Sequence, residues 1–432
     1  MNTTAGMTAR ALVESIHHGE MSVSRVADDH LGRINQVDGQ VRAFATVDAD
    51  LVRAEAQALD TRLRAGARLP LHGVPIGVKD IIDVAGLPTI AGFEPYRGTI
   101  ARTDAEIIAR LRALGALMIG KTHTTQFAVG DPAPTRNPWD QTRSPAGSSA
   151  GSGAAVPAGM VPVALGSQTA GSMLRPAAFN GSVGFKPSFG WMPLDGVIPL
   201  SWSLDHLGIY TADVSDMALI YRSLKQLPTD RVTSDRPPRI GMLTEYLDMS
   251  EPSVAEHVRS VAVTLVGAGA TVIETAWPVS FDDLFAPHQV LFSGEMAAVH
   301  SANLLRYPDE YGVKIRAGVE TGSLIPGTYL MQARRLQRRH ARLVNNWMRD
   351  FDAVVFPTVT TEACPIAETG DRSLQVPATY LGLPAMSLPT GLGPDNLPIA
   401  TQLIGRSGSE DRLLDVAEWI TRQWPLIGRP QL

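Results

Sequence analysis

Apolar positions along the chain recur first at helical and then at strand spacing, and the two patterns alternate to the end. Leu, Val and Ile fall at helical intervals over Thr8 to His18 and Ser22 to Asn35, with Gly19 placed to end the first helix and Ser22 to cap the second. Leu51 to Arg64 predicts a third helix, after which Leu71 to Val78 turns strand-like and delivers Lys79. An amphipathic helix over Thr103 to Leu114 precedes an apolar strand, Ala116 to Ile119. Further on, Leu204 to Ile209 and Ser215 to Leu224 read as strand and helix, as do Arg239 to Met242 and Val254 to Gly267, followed by the strand Ala270 to Glu274. Asp283 to Asn303 and Leu330 to Arg349 predict helices and Phe351 to Pro357 a buried strand. The apolar runs Leu381 to Thr390 and Ile399 to Ile404 and a helix over Glu410 to Arg422 close the chain. Alternation without internal repeats or low-complexity linkers predicts an α/β layered fold.

One stretch breaks the pattern. Ser144 to Pro187 packs small residues, two serine clusters and the strand-like run Met160 to Leu165 into a single segment. Glycine there lets backbone amides come close to a ligand. A flexible Gly/Ser linker has no use for the interleaved Val, Met, Leu and Phe, so the segment is read as a buried functional core.

Composition narrows the classes. A hydrophobic content of 44% with 19% charged residues describes a soluble globular protein with a sizeable core. A net charge of −5 offers no electrostatic footprint for nucleic acid, and the densest basic cluster, Ala333 to Arg342, reads as the solvated face of a helix. The single cysteine, Cys364, excludes an intramolecular disulfide and a cysteine-based metal cluster. With neither a signal-peptide core nor a membrane-length apolar run, a cytoplasmic enzyme without membrane contact is expected.

Two motifs mislead. Gly115 to Thr122 fits the phosphate-binding pattern GxxxxGK[ST], but its variable positions are themselves the strand and a helix precedes them, which argues against an ATPase. Gly147 to Gly151 fits the GxSxG nucleophile elbow, yet the polar, proline-broken Gln141 to Pro145 stands where an apolar strand is needed. A Ser-His-Asp arrangement is also poorly served: none of the ten histidines lies between His123 and His206, and nothing singles out His72.

The segment from Ser144 to Pro187, with GVPIGVKD at Gly73 to Asp80 upstream, resembles the signature of the amidase signature family of serine hydrolases. The likeness is sharpest over about residues 71–210 and weaker to the C-terminus. It implies one domain over residues 1–432, an α/β/α sandwich on a mixed central sheet. It also implies Ser172 as nucleophile, Ser148 as a bridging serine on a cis peptide after Gly147, and Lys79 as the base, with no metal or cofactor. Backbone amides from Thr169, Ala170, Gly171 and Ser172 would form the oxyanion hole. By itself Lys79 reads as an ordinary lysine paired with Asp80 or Asp83; its place in the motif changes that.

Departures from the commonest family pattern are Gln168 for aspartate, Ala170 for glycine, Leu174 for a frequent arginine and Gln126 for glutamate. Arg175, three residues after Ser172, resembles the malonamidase-like bacterial branch. It either clamps a substrate carboxylate or satisfies loop carbonyls. Phe127, Trp139, Met173 and Trp202 are candidates for an acyl pocket, with Gly147 and Ser149 beside it. The resemblance implies an amidase acting on a small amide, with esters, anilides or carbamates within reach of the same chemistry, as a monomer or homodimer. The alternatives are a glutaminase-type subunit of a glutamyl-tRNA amidotransferase complex and a non-catalytic binding protein on the same fold.

Overall fold

Eleven strands hydrogen-bond into one mixed sheet in the computed structural model, which describes residues 3–229 and 235–432. In chain order they are β1 (Phe44–Thr46), β2 (Pro75–Lys79), β3 (Leu117–Thr122), β4 (Val163–Gln168), β5 (Val183–Lys186), β6 (His206–Thr211), β7 (Arg239–Leu243), β8 (Thr271–Thr275), β9 (Ala353–Pro357), β10 (Ala385–Leu392) and β11 (Pro398–Ile404). Their order across the sheet is β1-β3-β2-β4-β6-β5-β10-β11-β9-β7-β8. β2 runs parallel to β3 and β4, and β7 parallel to β8 and β9, whereas β4–β6, β6–β5, β5–β10, β10–β11 and β11–β9 are antiparallel. Strands β2, β3, β4, β6, β9 and β11 are buried at every position, so both sheet faces are covered. This is the α/β architecture expected from the alternating pattern.

Long periodic segments form where the pattern puts them. The helix Ala9–His17 is capped by Thr8 and Val23–Val41 by Ser22, whose hydroxyl accepts from the Arg25 amide at 3.1 Å. The predicted strand at Met160 begins three residues later, at Val163, where pairing with β6 starts. The stretch after Val376 first makes a short helix, Val376–Tyr380, and becomes strand only at Ala385.

The phosphate-loop look-alike is a strand. Lys121 lies on β3, wholly buried, with its ammonium 3.1 Å from Asp80 and donating to Pro88 O and Thr89 Oγ1. Asp80 is therefore the partner of Lys121, which leaves Lys79 to other contacts.

Candidate active site

Three chain segments converge at one end of β2 and β4. β2 ends on Lys79, fully buried, with its amine 2.7 Å from Ser148 Oγ and 2.8 Å from Ser167 Oγ. Burial holds the Lys79 amine well below the ordinary lysine range, and the Asp205 carboxylate partly opposes that shift. Ser148 follows a cis peptide bond from Gly147 and stands one residue before Ser149, the N-cap of the short helix Ala150–Ala155. Ser172 sits on the loop between β4 and the helix Leu174–Asn180.

That loop is held by the last residue of β4. Gln168 Oε1 accepts from the amides of Met173 (2.8 Å) and Leu174 (3.1 Å), and its Nε2 donates to Thr379 Oγ1 at 2.8 Å. An aspartate would supply the acceptor but not the donor, so the amide fits this chain's Thr379. Thr169 Oγ1 donates to Asp205 at 2.6 Å, and Asp205 also accepts from the amides of Leu200 and Ser201. Burial raises the Asp205 carboxyl to about 6. Beneath the loop, Met173 fills a notch left by two glycines: a Cβ on Gly166 or Gly208 would stand 2.5 or 2.8 Å from its side chain.

Ser148, Ser172, Gly147, Thr169, Ala170, Gly171 and Arg175 all line one cleft of about 410 Å³. Its opposite walls come from distant sequence: Ala128 to Gly130, then Phe292, Ser293 and Met296 of the helix Phe281–Arg306, Lys314 and Gly318 of the helix Val313–Ser323, and the loop Thr369 to Arg372. Lys79 lies behind the cleft and reaches it through Ser148.

The other residues named for the pocket sit elsewhere. Phe127 is buried among Phe93, Tyr96, His300 and Tyr311, turned away from the cleft by left-handed backbone at 127 and 128. Met173 is core. Ser149 is spent on the backbone of Ser167, donating to its carbonyl and accepting from its amide at 3.1 Å each. Trp139 donates to Asn180 O and packs beside Phe179. Trp202 is 59% exposed on a separate groove, and His72 is buried against Leu59 O. Phe127, Met173, Ser149 and Trp139 thus serve packing or backbone satisfaction, the usual role of such residues.

Arg175 donates to Gly147 O at 2.8 Å and to Gly370 O at 2.7 Å. Both terminal nitrogens are thus committed to carbonyls that border the cleft. Gln126, in the position where glutamate is common, uses both halves of its amide: Oε1 accepts from Gly312 N and Nε2 donates to Glu310 O. It ties the 126–130 wall to the loop before the helix Val313–Ser323.

Sequence reading missed Ser167, Asp205, His288, Lys314, Arg372 and Thr379. Only Ser167 carried a usable signal, as one of seven serines inside the signature segment; the others lie outside it along the chain. Among the described residues no group of three or more His, Cys, Asp or Glu is placed to hold a metal ion, and no helix is long and apolar enough to cross a membrane.

Known proteins resemble this chain over nearly its whole length. The Amidase family model matches residues 25–414. A curated relative from Symbiobacterium thermophilum, named as a subunit of glutamyl-tRNA(Gln) amidotransferase, is 34% identical over 92% of this chain and 93% of its own. A solved structure described as a vestigial protein complex that reveals the evolutionary origins of an s-triazine catabolic enzyme superposes with a TM-score of 0.88 at 31% identity, covering 99% of this chain and all of that one. Native peptide amidase from Stenotrophomonas maltophilia superposes at 0.86 with 27% identity and 99% coverage of both chains. These names do not single out the malonamidase-like branch suggested by the position of Arg175. The family match over residues 25–414, the identity to curated relatives over most of the chain and the shared mixed sheet together establish that the chain belongs to the amidase family, enzymes that cleave amide C–N bonds.

Proposed function

We propose that this enzyme hydrolyses a small amide through an acyl-enzyme on Ser172. Ser148 passes the Ser172 proton to the neutral Lys79 amine and later returns one to the leaving nitrogen. The amides of the 169–172 loop bind the oxyanion. The observation that carries this reading is the wholly buried Lys79 amine 2.7 Å from Ser148, which shares the cleft with Ser172. Burial disfavours the charged form of the amine, which is what a lysine base needs.

The cleft supports an acid-bearing substrate. Lys314 and Arg372 stand on its walls with Asp371 as the opposing charge; Arg175 is occupied by backbone and Lys314 Nζ donates to Gly130 O, which leaves Arg372 as the main cation for a substrate acid. A free carboxylate on the acyl portion would face Arg372. The names of the curated relatives favour a narrower reading over a free-standing amidase: a glutaminase-type subunit that works with partner subunits. A cleft with a cation and an anion side by side, Arg372 and Asp371, accommodates the zwitterionic end of glutamine.

The test is ammonia or amine release from L-glutamine, acid-bearing primary amides, neutral amides, an anilide and a carbamate, by wild type and Ser172→Ala. Turnover of acid-bearing amides by the chain alone is expected, with none in Ser172→Ala. Glutamine turnover to the exclusion of the others moves the conclusion to the amidotransferase reading. Substantial turnover surviving in Ser172→Ala refutes the nucleophile.

A further inference from the structure

Two carbonyls behind the nucleophile loop are held from outside the signature segment. His288 Nε2 lies 2.9 Å from Thr169 O, and Thr379 Oγ1 donates to Ala170 O at 2.8 Å. A trans peptide unit is flat, with its C=O and its N–H pointing opposite ways. Fixing Thr169 O therefore aims the Ala170 amide, and fixing Ala170 O aims the Gly171 amide. Among the described residues, the amides of Ala170, Gly171 and Ser172 donate to no acceptor, although all three residues are nearly buried. Backbone donors buried without partners are rare in folded proteins. These three border the cleft.

The direction of every hydrogen bond in the supporting chain is fixed by its ends. Arg372 has only donors, and its Nη2 donates to Gln289 Oε1 at 2.9 Å. That orients the Gln289 amide so that Nε2 donates to His288 Nδ1 at 2.9 Å. His288 then carries its proton on Nε2 and donates it to Thr169 O, which can only accept. Burial lowers the imidazole to about 3, so it stays neutral and in this tautomer over the working range. On the second carbonyl, Thr379 Oγ1 receives Gln168 Nε2, which frees its own proton for Ala170 O.

We infer that His288 and Thr379 are positioning residues that aim the oxyanion-binding amides, and that Gln289 links His288 to Arg372 on the cleft wall. The inference rests on the reading of Ser172 as nucleophile. It makes Arg372 a point at which a bound substrate bears on the geometry of the oxyanion loop.

The experiment compares His288→Phe with His288→Gln, and Thr379→Val with Thr379→Ser. Hydrolysis of p-nitrophenyl acetate is measured per active site, with sites counted by fluorophosphonate labelling of Ser172. Outright loss of one oxyanion donor typically costs about 100- to 1,000-fold in kcat. Misaiming one should cost about 10- to 100-fold in His288→Phe, with KM changed less than about twofold. His288→Gln, which keeps an N–H donor, should recover at least about tenfold. A packing role would reduce the number of labelled sites and the Tm but leave kcat per site untouched. The inference is overturned if His288→Phe stays within about threefold of wild type per site, or if Gln is no better than Phe. Should His288→Phe not fold, the Thr379 pair decides by the same criteria. Wild type that takes no label on Ser172 removes the nucleophile reading and this inference with it; label on Ser172 with unaffected variants removes this inference alone.

Discussion

An amine that takes a proton from a serine must be unprotonated for part of its time, and burial pushes Lys79 toward that condition. Below its folded pKa the base is charged and idle, so kcat/KM should rise with pH through that value, which lies well under the usual lysine range. Asp205 works in the opposite direction: ionised above about 6, it favours the ammonium form. Asp205→Asn removes the charge and keeps an oxygen acceptor, so the acid limb of the kcat/KM profile should move to lower pH. An unmoved limb, or one displaced upward, would show that Lys79 is not the group titrating. Arg175 makes a second test at this scale. Arg175→Leu leaves Gly147 O and Gly370 O without their donors, at a cost of about 3 kcal/mol in stability. Acid and neutral substrates should lose kcat/KM alike; selective loss on the acid would mean the guanidinium reaches substrate.

At the scale of elements, the helix Ala150–Ala155 shows why the signature segment is built from small residues. It packs against β2, β3 and β4 on one side and the helix Leu174–Asn180 on the other. A Cβ on Gly151 would stand 2.2 Å from Ala43 O and 2.5 Å from His123 N, both backbone atoms with no room to move. Gly151→Ala should therefore destabilise the protein by about 3 kcal/mol, the upper end for overpacking, read as a lowered urea midpoint with an unchanged slope. A variant with a wild-type midpoint would mean that the β1–β3 edge can shift away. The same crowding explains why this helix and Leu174–Asn180 have no recognisable signal: AGSGAA and LRPAAFN carry no apolar period, because both are buried on all sides.

For the whole molecule, the sheet divides into β1 to β6 and β7 to β11, joined where β5 pairs with β10 through Gly184, Phe185 and Lys186. One buried apolar cluster nevertheless runs from Ala9 to Ile420 across that seam. Urea unfolding followed by far-UV circular dichroism and by tryptophan fluorescence should thus give coincident midpoints, with probes spread from Trp139 to Trp424. Two separate transitions would make the halves independent domains.

Long periodic elements and the α/β class were legible in the sequence because burial of one face imposes a period on apolar residues. Lys79, Ser148 and Ser172 were legible as a motif, since each falls in a short stretch whose small residues answer to local crowding. Tertiary structure alone decided the rest. Arg175 meets Gly370 across 195 residues, His288 meets Thr169 across 119, and Thr379 meets Ala170 across 209. The cleft walls at Phe292, Lys314 and Arg372 were invisible for the same reason. Local pattern records which face of a segment is buried; which distant side chain satisfies a particular carbonyl is settled only when the whole sheet and its covering helices come together.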